Sequence, residues 1–276
     1  MENSLEDNSA DREEAFIYDL HVAPLWREPF NQLLDDKIEV PADGRILEAA
    51  CGTGGYSVGL ASTIGPKLSV LGVDSSPERL NLARAKAVVK KLDHLEFRQG
   101  KLTSLELPND EFDLVIGDAS MWPPDGLTAV FDELRRVARP GAGLAALVAT
   151  RGTFDEFHSV FWESLHELNL DVYTPQLEAI IAARPTTSEV KQLALKSHWR
   201  NVHSDTIKHR LDFESSAVFL TSPLFEKYFF PEWFGMIADV AERQAVREGV
   251  GRIIDRDSHD IAFDVSIKAT IILGRK

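Results

Sequence analysis

The chain has 276 residues, 44% hydrophobic and 27% charged, with a formal net charge of −14. That length is ample for a sizeable core. No apolar run approaches the roughly 20 residues of a membrane-spanning helix, and the acidic balance argues against a nucleic-acid backbone or an anionic membrane as the main partner.

The single cysteine, Cys51, excludes an intrachain disulfide and a multi-cysteine metal cluster, which suits a reducing cytoplasm. The start, "MENSLEDNSADREE", carries six acids and one arginine and lacks the apolar stretch of a secretory signal. Residues 1–12 are read as a disordered acidic tail. Residues 13–276 are read as a single domain, with N-terminal helices at 13–42, a binding core at 43–150, and substrate-side helices with the last strands at 151–276.

From Glu13 to Asp36, Phe16, Leu20, Leu25, Phe30, Leu33 and Leu34 predict short amphipathic helices broken at Pro24. Apolar runs predict strands at 45–50, 68–73, 94–98, 112–117 and 143–149, with helices at 55–64, 77–91 and 126–138 between them. Ser76 can cap the second of these helices and Pro77 opens it. Such alternation implies a doubly wound α/β domain, its parallel sheet covered on both faces.

Further on, residues 153–170 predict a helix with Phe154, Phe157, Phe161 and Leu165 on one side, and 176–198 a helical stretch interrupted at Pro185. A strand follows at 200–211, and a β-rich run closes the chain at 262–276. Six aromatics crowd Phe225 to Phe234. They fill a core beneath a helical cap, or line a substrate pocket or a subunit contact of a homodimer.

The stretch "RILEAACGTGGYSVGLA", Arg45 to Ala61, carries the chemistry. Ala50, Gly52 and Gly54 remove side-chain bulk at the carboxyl edge of the first strand, where open α/β sheets bind ligands. Main-chain N–H groups can then approach a ligand at a helix N-terminus. A dinucleotide would need G-x-G-x-x-G, but Ser57 stands at the third glycine position, and Glu48 lies where a pyrophosphate would come near. A ligand with a cationic amino group and no phosphate, such as S-adenosylmethionine, accounts for that acid.

"ILEAACGTG" resembles the [DE]-x-[GA]-x-G-x-G loop of class I S-adenosylmethionine-dependent methyltransferases, and is most similar to the ubiquinone/menaquinone type, which often has alanine where Ala50 stands. "VLGVDSSPERLNLARAK", "LEFRQGKLTSLELPNDEFDLVIGDASMW" and "DELRRVARPGAGLAAL" are similar to the later motifs in the same order, and "YDLHVAPLWREPFNQLL" to the helices before such domains. The likeness spans about residues 15–150. It implies a Rossmann-like mixed seven-stranded sheet with its final strand antiparallel, helices on both faces and a helical cap. It also implies methyl transfer from S-adenosylmethionine to a small-molecule acceptor by in-line displacement, for which proximity and alignment are the main requirement.

The resemblance further implies roles for single residues. Glu48 would organise the loop and the ligand's ammonium, Ala50, Gly52, Thr53 and Gly54 would let the backbone lie along the methionine part, and Asp74 would bind the ribose. Ser75 and Leu102 would border the adenine, and Gly117 and Asp118 would lie near the sulfonium. Lys101 departs from the family, standing where an acid usually binds the adenine amino group; a lysine cannot accept that hydrogen bond.

No general base is assigned. Tyr18 and His21 lie in the N-terminal helices, Asp118 ends a strand, and His158 and His166, eight residues apart, are read as facing solvent or its edge. No metal site is expected. The [DN]-P-P-[FYW] stretch of enzymes that methylate nucleic-acid bases is absent from "DASMWPPDG". Two rival readings stand beside this one: a nicotinamide-dependent oxidoreductase, and a methyltransferase-like binding or scaffold protein without turnover, for which Lys101 speaks.

Overall fold

The computed structural model describes residues 3–65, 67–257 and 262–276. Ahead of the sheet come helices α1 (Asn3–Ile17), α2 (Ala23–Trp26) and α3 (Glu28–Lys37), with a π-helical turn at Tyr18–Val22 between the first two. Of the segment expected as a tail, residues 3–12 are therefore the opening turns of α1, and residues 1 and 2 lie outside the described residues. No glycine or proline interrupts 3–17, and Arg12 is held 3.4 Å from Glu78.

Pro24 does not break this region. It occupies the first turn of α2, where its missing N–H has no bond to make, and the interruption falls at Arg27 instead. The wider π turn also shifts the buried face. Ala15, Tyr18, Val22, Trp26 and Phe30 form the inward stripe, while Phe16 and Leu20, expected on it, are 52% and 64% exposed.

The core then alternates β1 (Gly44–Ala49), α4 (Gly55–Thr63), β2 (Leu68–Asp74), α5 (Pro77–Lys90), β3 (Leu95–Gln99), β4 (Phe112–Asp118), α6 (Leu127–Val137) and β5 (Ala138–Ala149). After it come α7 (Asp155–Glu167), α8 (Thr174–Ala183), α9 (Thr187–Lys196), β6 (Arg200–Phe213), α10 (Ser216–Leu220), α11 (Pro223–Tyr228), α12 (Phe230–Trp233), α13 (Val240–Asp257) and β7 (Phe263–Arg275).

The seven strands form one sheet in the order β3-β2-β1-β4-β5-β7-β6. Strands β1 to β5 run parallel, and β7 is antiparallel to both β5 and β6. Val58, Ala61, Leu80 and Ala83 of α4 and α5 cover one face, and Phe131, Leu134, Val190 and Ala194 of α6 and α9 the other. The strand order reverses between β1 and β4, and the carboxyl ends at such a switch point are where open α/β sheets bind ligands.

Strand β5 starts five residues earlier than expected, at Ala138. A register shift lets Phe112 pair with Ala138 before regular pairing resumes at Leu114 and Gly143, so the Pro140–Gly141 corner is absorbed into the strand. The break at Pro185 is as expected: Thr186 and Glu189 cap α9 reciprocally through side chain and backbone. The aromatic segment fills a core. Phe157 stacks on Trp233 with ring centroids 4.6 Å apart, and Phe154 meets Trp26, Phe225, Phe229 and Trp233. Phe229 and Trp233 also face a cavity.

Candidate functional site

The glycine loop leaves β1 at Ala50, whose φ of 60° is the left-handed backbone that costs an L-residue about 1–2 kcal/mol. Gly52 follows at φ 58°. Its N–H donates to Asp74 Oδ2 at 2.8 Å, and Oδ1 of the same carboxylate accepts from the Ser76 N–H at 2.9 Å. The acid ending β2 is thus tied to the loop after β1, and each of its oxygens keeps acceptor capacity for a further donor.

Three carboxylates gather at these strand ends. Glu48, 1% exposed, accepts from Arg27 Nη2 at 2.8 Å and from the Ser57 hydroxyl. Asp118 accepts from Arg27 Nη1, and from the Ser120 N–H at 2.9 Å. One guanidinium therefore joins the ends of β1 and β4. Burial pushes the Glu48 carboxyl up while Arg27 pulls it down, with a net rise. Glu48 is thus committed to Arg27 and Ser57, and the ligand-facing role expected for it is not the one its contacts describe.

The N-terminal helices roof the loop. A Cβ at Gly52 would lie 2.9 Å from the Tyr18 ring, so Tyr18 fills the space directly over this glycine. Arg79 lies 3.8 Å from the Tyr18 ring centroid and donates to Glu14 at 2.5 Å and Tyr228 at 2.7 Å. Asp19 accepts from the Thr53 hydroxyl and from Lys86. Burial raises the Tyr18 phenol well above its ordinary range, so it is no base near neutrality. His21 is exposed.

Two of the expected site glycines serve packing. At Gly54, φ 72°, a Cβ would meet Ala83 at 2.7 Å and Phe97 at 2.8 Å; at Gly117 it would meet Leu134 at 2.5 Å. Gly54→Ala is expected to cost about 2 kcal/mol, through left-handed backbone strain and overpacking against α5. Chemical denaturation checks this; a wild-type midpoint would show that the loop relaxes freely.

Ser75 and Lys101 are exposed at the ends of β2 and β3. Lys101 forms a backbone bridge with Ser104, and Leu102 is buried with Val73 and Leu105. His158 is 3% exposed and His166 is on the surface, because eight residues advance a helix by about 800° and leave the pair roughly 80° apart. Neither ring nitrogen of His158 has a partner. Among the described residues no group of three His, Cys, Asp or Glu is placed to hold a metal, and no helix is long and apolar enough to cross a membrane.

Sequence reasoning missed Arg27 and Arg79. Arg27 follows the buried Trp26 in "LWREPF", so a cation beside a core tryptophan was the available signal.

Residues 46–141 match the family profile described as Methyltransferase domain. The span holds the glycine loop, Asp74 and Asp118. Over this span the chain carries a methyltransferase domain similar to those of the class I S-adenosylmethionine-dependent family. The chain is 33% identical over 138 residues to a demethylmenaquinone methyltransferase of Lactococcus lactis, a match covering 50% of this chain and 53% of that relative. It spans less than two thirds of the other curated demethylmenaquinone methyltransferases it matches.

Among solved structures the fold is shared with the YcgJ protein of Bacillus subtilis, at a TM-score of 0.56 and 17% identity over 89% of this chain and 97% of that one. It is shared too with phosphoethanolamine N-methyltransferase 2 of Haemonchus contortus, solved with S-adenosyl-L-methionine, at a TM-score of 0.55 and 16% identity over 96% of this chain and 57% of that one.

Proposed function

We propose that this chain transfers a methyl group from S-adenosylmethionine to a small-molecule acceptor in the cytoplasm. The observation that carries the proposal is a charge count. Glu48, Asp74 and Asp118 stand at the carboxyl ends of β1, β2 and β4, and Arg27 is the cation paired with two of them. The resulting negative balance favours a sulfonium and an ammonium over a pyrophosphate.

The donor set also fits. Asp74 can accept the two hydroxyls of a ribose, and the Gly52 turn presents backbone, without side chain, to the space that Tyr18 covers. Bound there, the cofactor supplies a methyl already activated on sulfur, with a leaving group that departs neutral. The chain's own contribution is alignment and dryness. Asp74 fixes the nucleoside end, Tyr18 and Asp19 roof the loop against water, and Arg27 holds the β1 and β4 ends in register.

Calorimetry on the full chain tests this. S-adenosylmethionine and S-adenosylhomocysteine are expected to bind, and NADH not to bind. Asp74→Ala is expected to weaken S-adenosylmethionine at least about tenfold, the scale of lost hydrogen bonds to a charged group, with an unchanged circular-dichroism spectrum. An unchanged Kd removes Asp74 from the site. Binding without methylation across a broad acceptor panel overturns the transfer itself.

A further inference from the structure

A cavity of about 350 Å³ lies at the carboxyl ends of β4 and β5. Ser120, two residues beyond Asp118, and Tyr228, whose ring is 6.4 Å from that of Tyr18, both line it. Its remaining walls are largely aliphatic, with the aromatic rings of Trp122, Phe229 and Trp233 among them. Arg184, in the turn between α8 and α9, lines it as well.

The Arg184 guanidinium lies 5.6 Å from the Phe229 ring centroid and 5.8 Å from that of Phe154. Among the described residues it makes no ion pair and donates no side-chain hydrogen bond; Glu232, on the same cavity wall, acts on it only at a distance. Buried Arg27 and half-buried Arg79, by contrast, are answered at close range, Arg27 by Glu48 and Asp118, and Arg79 by Glu14. Burial pulls the Arg184 pKa down to about 10, against the pull of Glu232. Arg184 is half-buried on the cavity wall, and its guanidinium donors are left free for an anion that enters there.

We propose that Arg184 anchors the acid group of the methyl acceptor, and that the acceptor is a small monoanionic carboxylic acid whose apolar body lies against Trp122, Phe229 and Trp233. The planar guanidinium matches a carboxylate in two parallel hydrogen bonds. Glu232 disfavours a dianion such as a phosphate monoester, because its charge adds repulsion beside the single cation. The volume is at the small end of ligand pockets, which suits a compact acid. Naming this occupant as the acceptor rests on the methyl-transfer reading; the anion site itself does not.

The test is calorimetry on the full chain with benzoate, indole-3-acetate and decanoate, each compared with its own neutral amide. At least one acid is expected to bind about tenfold or more tightly than its amide. Arg184→Met is expected to erase that preference without lowering the melting temperature, and Arg184→Lys to restore part of it. Should Arg184→Met fail to fold, Arg184→Gln provides the same comparison. Absence of any acid preference in the wild type, including no binding by all three acids, overturns the proposal, as does a preference that survives in Arg184→Met. S-adenosylmethionine is titrated separately. Its failure to bind, with the acid preference intact, sinks methyl transfer and leaves the anion site standing; the converse result sinks the anion site alone.

Discussion

Arg27→Met is expected to destabilise the fold by about 3–5 kcal/mol, the range for removing one partner of a buried ion pair. Arg27 and Glu48 are 6% and 1% exposed, and Arg27 is the cation that both Glu48 and Asp118 contact. Methionine fills similar volume, so the loss is electrostatic, with two carboxylates left facing each other at the ends of β1 and β4. Glu48 then keeps the burial that raises its pKa and loses the cation that lowers it. A folded-state pKa above the unfolded one places the stability at low pH and removes it as pH rises. The deficit of Arg27→Met is therefore expected to shrink on acidification. Urea unfolding at several pH values reads both effects, and adding Glu48→Gln and Asp118→Asn is expected to recover most of the loss. A deficit that does not respond to pH would mean that water reaches the carboxylates.

Acidification is also expected to weaken the wild-type fold through His158. The ring lies 5.4 Å from Trp233 and 6.1 Å from Phe157, and its nitrogens have no partners. Burial lowers its pKa from 6.5 to about 4; the charge of Arg184 acts in the same direction and that of Glu156 opposes it. The unfolded chain therefore takes up this proton first, and stability rises with pH across that window. The contribution is complete above about pH 6.5 and is lost as pH falls through about 4. A shift of this size corresponds to roughly 3 kcal/mol. His158→Phe, which suits the aromatic surroundings, is expected to flatten the profile by that amount. Parallel wild-type and variant curves would show that the imidazole is hydrated in the folded state.

Much of the architecture was legible because its signals are local. Short apolar runs at 45–50, 68–73 and 112–117 lie within one residue of the observed strands. The Ser76–Pro77 start of α5 is where it was read, with Ser76 accepting from the Arg79 N–H. That the final strand runs antiparallel inside the sheet came from the family resemblance, since an apolar run does not encode its direction; its partners are β5 and β6. The N-terminal face was misread at Phe16 and Leu20 because a π turn changes the helical period that the pattern assumes.

The sequence by itself determined the alternating strands and helices, the side-chain-free loop after the first strand and the acid ending the second. Each is a property of a few consecutive residues: hydrophobic period, glycine geometry, capping chemistry. Only the tertiary structure decided which glycine lies under Tyr18 and which faces a helix, that Arg27 pairs with Glu48 and Asp118 from 21 and 91 residues away, and that Arg184 stands without an ion-pair partner beside aromatic rings. Those facts depend on distances between elements remote in the chain. The energy of a charge depends on what surrounds it, and its surroundings exist only once the chain has folded.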